Sequence, residues 1–247
     1  MKILYILPVP VDAEGVEKRR EQALKAQLKD TTEIVCRPVS SSCDMLDSYF
    51  KDILHDYGVI VEGMHAQEEG FDAVVMDTVS DAGLFHLRSR LDIPVVGPGS
   101  AAYAFAGMLG RRFSVITMWD KWAYLYEKGA TNYGIKDKLA SVRSLGIQPD
   151  LNNLLDGKLE DTAASIVEQA RLAAEEDGAD VVLLGSTTMH ESATLAQPNS
   201  PIPLIDPGPL ALRTAETLVD LGLSHSKRAW PSPVDNRDDR KFVGLPL

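Results

Sequence analysis

Short apolar runs alternate with longer amphipathic ones along the whole chain. KILYIL, from Lys2 to Leu7, is a β-rich run, and the stretch from Glu14 to Lys29 spaces Val16, Ala23, Leu24 and Leu28 as one helical face. EIVCRPV and a helix from about Asp47 to Glu69 follow, then DAVVM and a helix, then IPVVG and a helix from about Ser100 to Leu109. The order continues with RRFSVITM, a helix from about Lys121 to Tyr133, a strand near Ser141 to Leu145 and a helix from about Asp161 to Glu176. ADVVLLG, IPLID and a helix from Pro209 to Leu221, stopped by Gly222, complete it. Near-continuous apolar strands between helices predict an α/β fold with parallel sheets covered on both faces. From Ser224 onward the chain is rich in charge and proline, which predicts an extended surface tail.

The pattern runs twice. EEGFDAVVMDTVSD lies on EDGADVVLLGSTTM without a gap, so Gly70 falls on Gly178, Asp72 on Asp180 and Thr78 on Ser186, each 108 residues later. IPVVGPGSAA lies on IPLIDPGPLA at an offset of 109, and KILYIL on RFSVIT near 110. The expected architecture is two open parallel-sheet lobes related by a pseudo-twofold axis, residues 1–98 with 207–247 and residues 99–206, with a cleft between them.

At 247 residues there is ample chain for a packed core, and 45% hydrophobic with 25% charged residues is the balance of a globular protein. No run approaches the roughly 20 apolar residues of a membrane span, and no secretory leader is legible at the N-terminus, so a cytoplasmic location is expected. The excess of 36 Asp and Glu over 25 Lys and Arg, a formal charge of −11, repels a phosphate backbone and argues against nucleic-acid binding. Cys36 and Cys43 match no zinc or redox spacing. Cys36 falls in an apolar strand and is expected in the core, whereas Cys43 falls in the loop SSSCD, which could border the cleft.

Two segments carry a family likeness: FDAVVMDTVSDAGLFHLRSRLDIPVVGPGSAAYAFAGMLGRRFSVIT and IPLIDPGPLALRTAETLVDLGLSHSKRAW. They resemble the aspartate/glutamate racemase superfamily, and within it the hydantoin racemase branch, over nearly the whole chain. The resemblance implies a cofactor-independent isomerase, a homo-oligomer, acting on a small carboxylate-bearing or hydantoin-like substrate. Such enzymes usually carry one cysteine per half, one thiolate removing an α-proton and the other thiol protonating the opposite face. By the resemblance Thr78 and Ser186 occupy those two positions, and ILPVP, Ile6 to Pro10, stands where the family has an Asn-bearing turn. An alcohol is a far weaker carbon base than a thiol, so lyase, decarboxylase or hydrolase chemistry is expected beside racemisation.

The turns MDTVSD and GSTTMHE form the expected polar mouth, with Asp77, Thr78, Ser80 and Asp81 from one and Ser186, Thr187, Thr188, His190 and Glu191 from the other. Thr78, Ser186 and His190 are the candidate catalytic residues; Ser80, Asp81, Thr187 and Thr188 are the candidate substrate ligands. Hydroxyls and free N–H groups at strand-to-helix turns suit a carboxylate or an enolate, and they also suit plain helix capping. His190 lies four residues beyond Ser186, one helical turn, and an imidazole titrates near neutrality. Trp119, Trp122, Tyr124 and Tyr126 can wall a pocket, line a subunit interface or pack a helix. Neither GPGSAA nor DPGPLA has the spacing of a nucleotide loop, and no His pair has metal spacing, so neither cofactor nor metal is expected. The alternative from another class is a catalytically silent binding protein on the same scaffold.

Overall fold

In the computed structural model, which describes residues 1–43, 45–148 and 159–243, strand and helix alternate from the first residues. The first half runs β1 (Lys2–Leu7), α1 (Ala13–Leu24), β2 (Glu33–Pro38), α2 (Tyr49–Gly63), β3 (Ala73–Met76), α3 (Leu84–Arg90), β4 (Val95–Val96) and α4 (Pro98–Leu109). The second runs β5 (Phe113–Thr117), α5 (Ala123–Asn132), β6 (Leu139–Ser144), α6 (Leu159–Asp177), β7 (Val181–Leu184), α7 (His190–Ala196), β8 (Leu204–Ile205) and α8 (Pro207–Asp220). A short α9 (Asp239–Val243) follows in the tail. The fold is α/β with two four-stranded, all-parallel sheets of orders β2-β1-β3-β4 and β6-β5-β7-β8.

The chain divides into two compact units, Met1–Gly97 with Ala211–Leu247, and Pro98–Leu210. Each is built the same way to the level of single hydrogen bonds. Asp72 N–H bonds Lys2 O at 2.8 Å and Asp180 N–H bonds Arg112 O at 2.9 Å, so both third strands enter their sheets at matched heights. They also leave at matched heights, because Asp77 N–H bonds Ile6 O and Gly185 N–H bonds Ile116 O, both at 2.8 Å. Gly70 and Gly178, aligned by the repeat, have φ of +82° and +68°. That left-handed conformation, cheap only for glycine, turns the chain from helix into strand in both units.

Burial explains the sequence pattern. All of β3 and β7 is buried, because helices cover both faces of each sheet. In the second unit Ile116, Val182 and Leu184 meet Ile166 and Ala170 of α6 and Met189 and Ala193 around α7. Edge strand β2 tolerates Pro38, whose missing N–H would break a central ladder.

Three local expectations change. Helix α2 ends at Gly63, six residues before the expected end, since the chain turns through Gly70 to bury Phe71. Cys36 is half-buried on the edge strand, and Cys43 is buried. The tail is pinned and partly helical: Lys227 Nζ donates to Arg88 O, Ser89 O and Leu91 O at 3.0, 3.1 and 2.6 Å, closing the C-terminus of α3. Beside it Val95 N–H donates to His225 Nε2 at 2.6 Å, and Trp230 lies under the Arg88 guanidinium. Among the described residues no helix is long and apolar enough to cross a membrane.

Candidate active site

In the first unit, the chain leaving β3 passes through Asp77, which is buried. Tyr5 Oη donates to Asp77 Oδ1 at 2.5 Å, and Arg19 grips Oδ2 with Nε, at 2.6 Å, and Nη2. Burial and the adjacent Asp77 charge push the Tyr5 phenol well above its ordinary range, so it stays a donor. Asp77 therefore belongs to the floor beneath the turn and leaves the expected polar mouth.

Thr78 and Ser80 come next, both half-buried, with Oγ1 and Oγ 2.9 Å apart and Ser80 N–H reaching Thr78 Oγ1 at 3.4 Å. Asp81 follows at φ +56°, a left-handed conformation that costs a residue with a Cβ roughly 1–2 kcal/mol. The turn holds it there: Asp81 N–H bonds Thr78 O at 3.2 Å and Leu84 N–H bonds Asp81 O at 3.1 Å. Its carboxylate lies against Gly97, where a Cβ would stand 2.2 Å from Oδ1, so a side chain there would have to displace the Asp81 carboxylate.

The second unit repeats the hydroxyl pair. Ser186 Oγ and Thr188 Oγ1 are 2.7 Å apart, and Thr188 N–H reaches Ser186 Oγ at 3.3 Å. The Thr188 hydroxyl also faces Met118 Sδ at 3.7 Å, a weak acceptor that an incoming oxygen easily replaces. Thr187 is buried beside the start of α8, its Cβ 3.8 Å from the place of a Gly208 side chain. Gly185, at the place where the first repeat has the floor carboxylate Asp77, offers its carbonyl to Tyr126 Oη at 2.7 Å, and Thr117 Oγ1 lies 2.9 Å from the same phenol. Tyr126 is thus a buried packing residue, while Trp119 and Trp122 meet edge to face at 6.2 Å.

His190 opens α7 and is buried, with Nδ1 in hydrogen-bond contact with Asp206 Oδ2. Among the described residues no hydrogen bond joins His190 to Ser186, so the expected pairing one turn apart is replaced by one sixteen residues away. Asp206 lies outside the strand-end hydroxyl pattern. Its available signal was an Asp directly before the Pro-Gly-Pro start of a helix, a carboxylate whose usual helix partner is missing. Among the described residues no group of three His, Cys, Asp or Glu side chains converges as a metal would need.

The family model for Asp/Glu/hydantoin racemases matches residues 14–215. The chain belongs to the Asp/Glu/hydantoin racemase family. Members similar to it include a hydantoin racemase of Pseudomonas sp. (strain NS671), 32% identical over 99% of this chain and 95% of that protein. Among solved structures, the racemase fold of this chain is similar to an allantoin racemase of Pseudomonas fluorescens, at 30% identity and a TM-score of 0.84, covering 95% of this chain and 98% of that one. An allantoin racemase of Klebsiella pneumoniae gives 25% identity and a TM-score of 0.83 over 95% and 94%.

Proposed function

We propose that the chain is a racemase-like enzyme that moves a proton at a carbon next to a carbonyl, on a small carboxylate- or amide-bearing substrate of hydantoin type. The observation that carries this reading is the contact between His190 Nδ1 and Asp206. A carboxylate there takes the Nδ1 proton as its hydrogen-bond donor, which leaves the lone pair of the neutral ring on Nε2. Nε2 removes the α-proton, and the C–H electron pair passes into the adjacent carbonyl as an enolate. The imidazolium, stabilised by Asp206, either returns the proton to the same face, regenerating substrate, or loses it to solvent while a solvent proton is delivered to the opposite face of the enolate, which inverts the carbon.

Ser186 and Thr188 are assigned to the enolate or carboxylate oxygen. Two hydroxyls bonded to each other use one proton internally, and the other, held only by Met118 sulfur, is free to donate. Thr78 and Ser80 repeat that geometry and are assigned to substrate by the same argument, with Asp81 and Thr187 shaping the two turns. The route uses no cofactor. Racemisation is the default because similar proteins are hydantoin and allantoin racemases. Hydroxyls at positions where the resemblance implies thiols admit lyase or decarboxylase outcomes through the same enolate, and hydrolase chemistry by attack of a hydroxyl or water on the carbonyl instead.

The rival reading, a silent binding protein, draws on the bonds that Thr78 and Ser186 accept from Ser80 N–H and Thr188 N–H, which are ordinary local caps. Incubating each enantiomer of a 5-substituted hydantoin and of allantoin in deuterated buffer decides between them. The enzyme reading expects α-hydrogen exchange above the buffer rate, falling about 10²- to 10⁴-fold in His190→Gln. Saturable binding without exchange gives the silent protein.

A further inference from the structure

At the strand-to-helix junctions that open α4 and α8, Gly97 and Ser100 of the first repeat become Asp206 and Pro209 of the second, each 109 residues later. In the first repeat the residue before the helix is glycine, and the carboxylate of the turn, Asp81, lies against it. In the second the carboxylate itself stands before the helix and the turn supplies the imidazole.

Asp206 directly precedes α8, the position from which a carboxylate ordinarily accepts the N–H of the second or third helical residue. The third residue of α8 is Pro209, which has no N–H. The second is Gly208, and among the described residues no hydrogen bond joins its N–H to Asp206. Asp206 Oδ1 is buried without a partner, and Oδ2 holds His190 Nδ1. A buried carboxylate oxygen left this way takes any well-placed N–H offered to it. The serine at the matching place in the first repeat, Ser100, has such an N–H; Pro209 does not.

We propose that Pro209 is a positioning residue: by withholding the N–H that a helix start normally offers, it keeps the Asp206 carboxylate on His190 and the ring proton on Nδ1. This rests on the reading of His190 as the proton-moving group, since only that role gives the tautomer a use. It also explains why both neighbours in a helix start are prolines, a pattern that strips donors from the turn where a capping carboxylate sits.

The test is ¹⁵N NMR of the full chain labelled at histidine, at a pH where the imidazoles are neutral, with the His190 signals assigned by their loss in His190→Gln. Native protein is expected to show a protonated-type Nδ1 and an unprotonated-type Nε2. Pro209→Ser and Pro209→Ala each restore an N–H, so both are expected to move His190 toward the Nε2–H form, while the melting temperature holds or rises as the new cap forms. Asp206→Ala is expected to move the same signals the same way. Unchanged His190 shifts in a folded Pro209 variant, or in Asp206→Ala, overturn the proposal. If the shifts move as expected but turnover survives His190→Gln, the positioning stands and the acid/base reading falls.

Discussion

Ser186 Oγ stands 2.7 Å from Thr188 Oγ1 at the end of β7. The same relationship joins Thr78 to Ser80 at 2.9 Å at the end of β3, 108 residues earlier in the chain. In each pair the first hydroxyl also accepts the backbone N–H two residues on, at 3.3 and 3.4 Å. Bonds that long and that local add little to folding, whereas a hydroxyl given to a charged ligand contributes roughly 1.5–3 kcal/mol. Ser186→Ala and Thr78→Val are therefore each expected to weaken substrate binding or turnover by about 10- to 100-fold, with a melting temperature close to native. Normal turnover with a lowered melting temperature identifies the hydroxyls as helix caps instead.

Arg19 and Asp77 form a buried ion pair below the first turn, backed by the Tyr5 phenol. Removing one partner leaves the other charge without compensation, at a cost of about 3–5 kcal/mol. Arg19→Met is expected to lower the urea midpoint by that measure, and the double variant Arg19→Met with Asp77→Leu to recover most of it. A single variant as stable as native chain shows that the pair holds nothing in place.

Acid should loosen the tail. Burial, then the Arg88 and Lys227 charges, hold the His225 imidazole down at about 4, and its Nε2 accepts Val95 N–H. The folded value lies below the unfolded one near 6.5, so the unfolded chain binds the extra proton. The stabilisation is full above about 6.5 and is lost as pH falls toward about 4. With His225 half-exposed, roughly 1–2 kcal/mol is expected across that window after solvent screening. His225→Gln keeps an acceptor without titrating, and its stability against pH should lack this slope in urea melts. An equal slope in both proteins assigns the acid sensitivity to other groups.

Neither cysteine should be reactive. Burial, then the Asp77 charge, push the Cys36 thiol up to about 12, and burial raises Cys43 as well. Iodoacetamide at pH 8 is expected to label both slowly by mass spectrometry and to leave turnover intact. Rapid labelling of Cys43 with loss of activity, and protection by substrate, gives that thiol a place in the chemistry.

The βα order and the internal repeat were legible because parallel strands buried on both faces must be almost wholly apolar, as VVM and VVLL are, and because Gly70 and Gly178 punctuate both copies at one spacing. Thr78 and Ser186 followed from the same repeat. The end of α2 was not legible, since the amphipathic pattern runs past Gly63 and only the need to bury Phe71 stops the helix there.

The sequence by itself determined which residues end each strand, because strand ends are local: apolar run, then hydroxyl, then helix. Tertiary structure alone decided which of those residues hold one another. Asp77 looked like part of an open turn until Tyr5 and Arg19, far earlier in the chain, closed on it. His190 looked like a partner for Ser186 until parallel neighbours β7 and β8 brought Asp206 alongside. Periodicity reports which face a side chain takes, and it is silent on contacts between strand ends, which depend on sheet order. In this chain that order places a carboxylate against an imidazole in the second unit and a carboxylate against a glycine in the first.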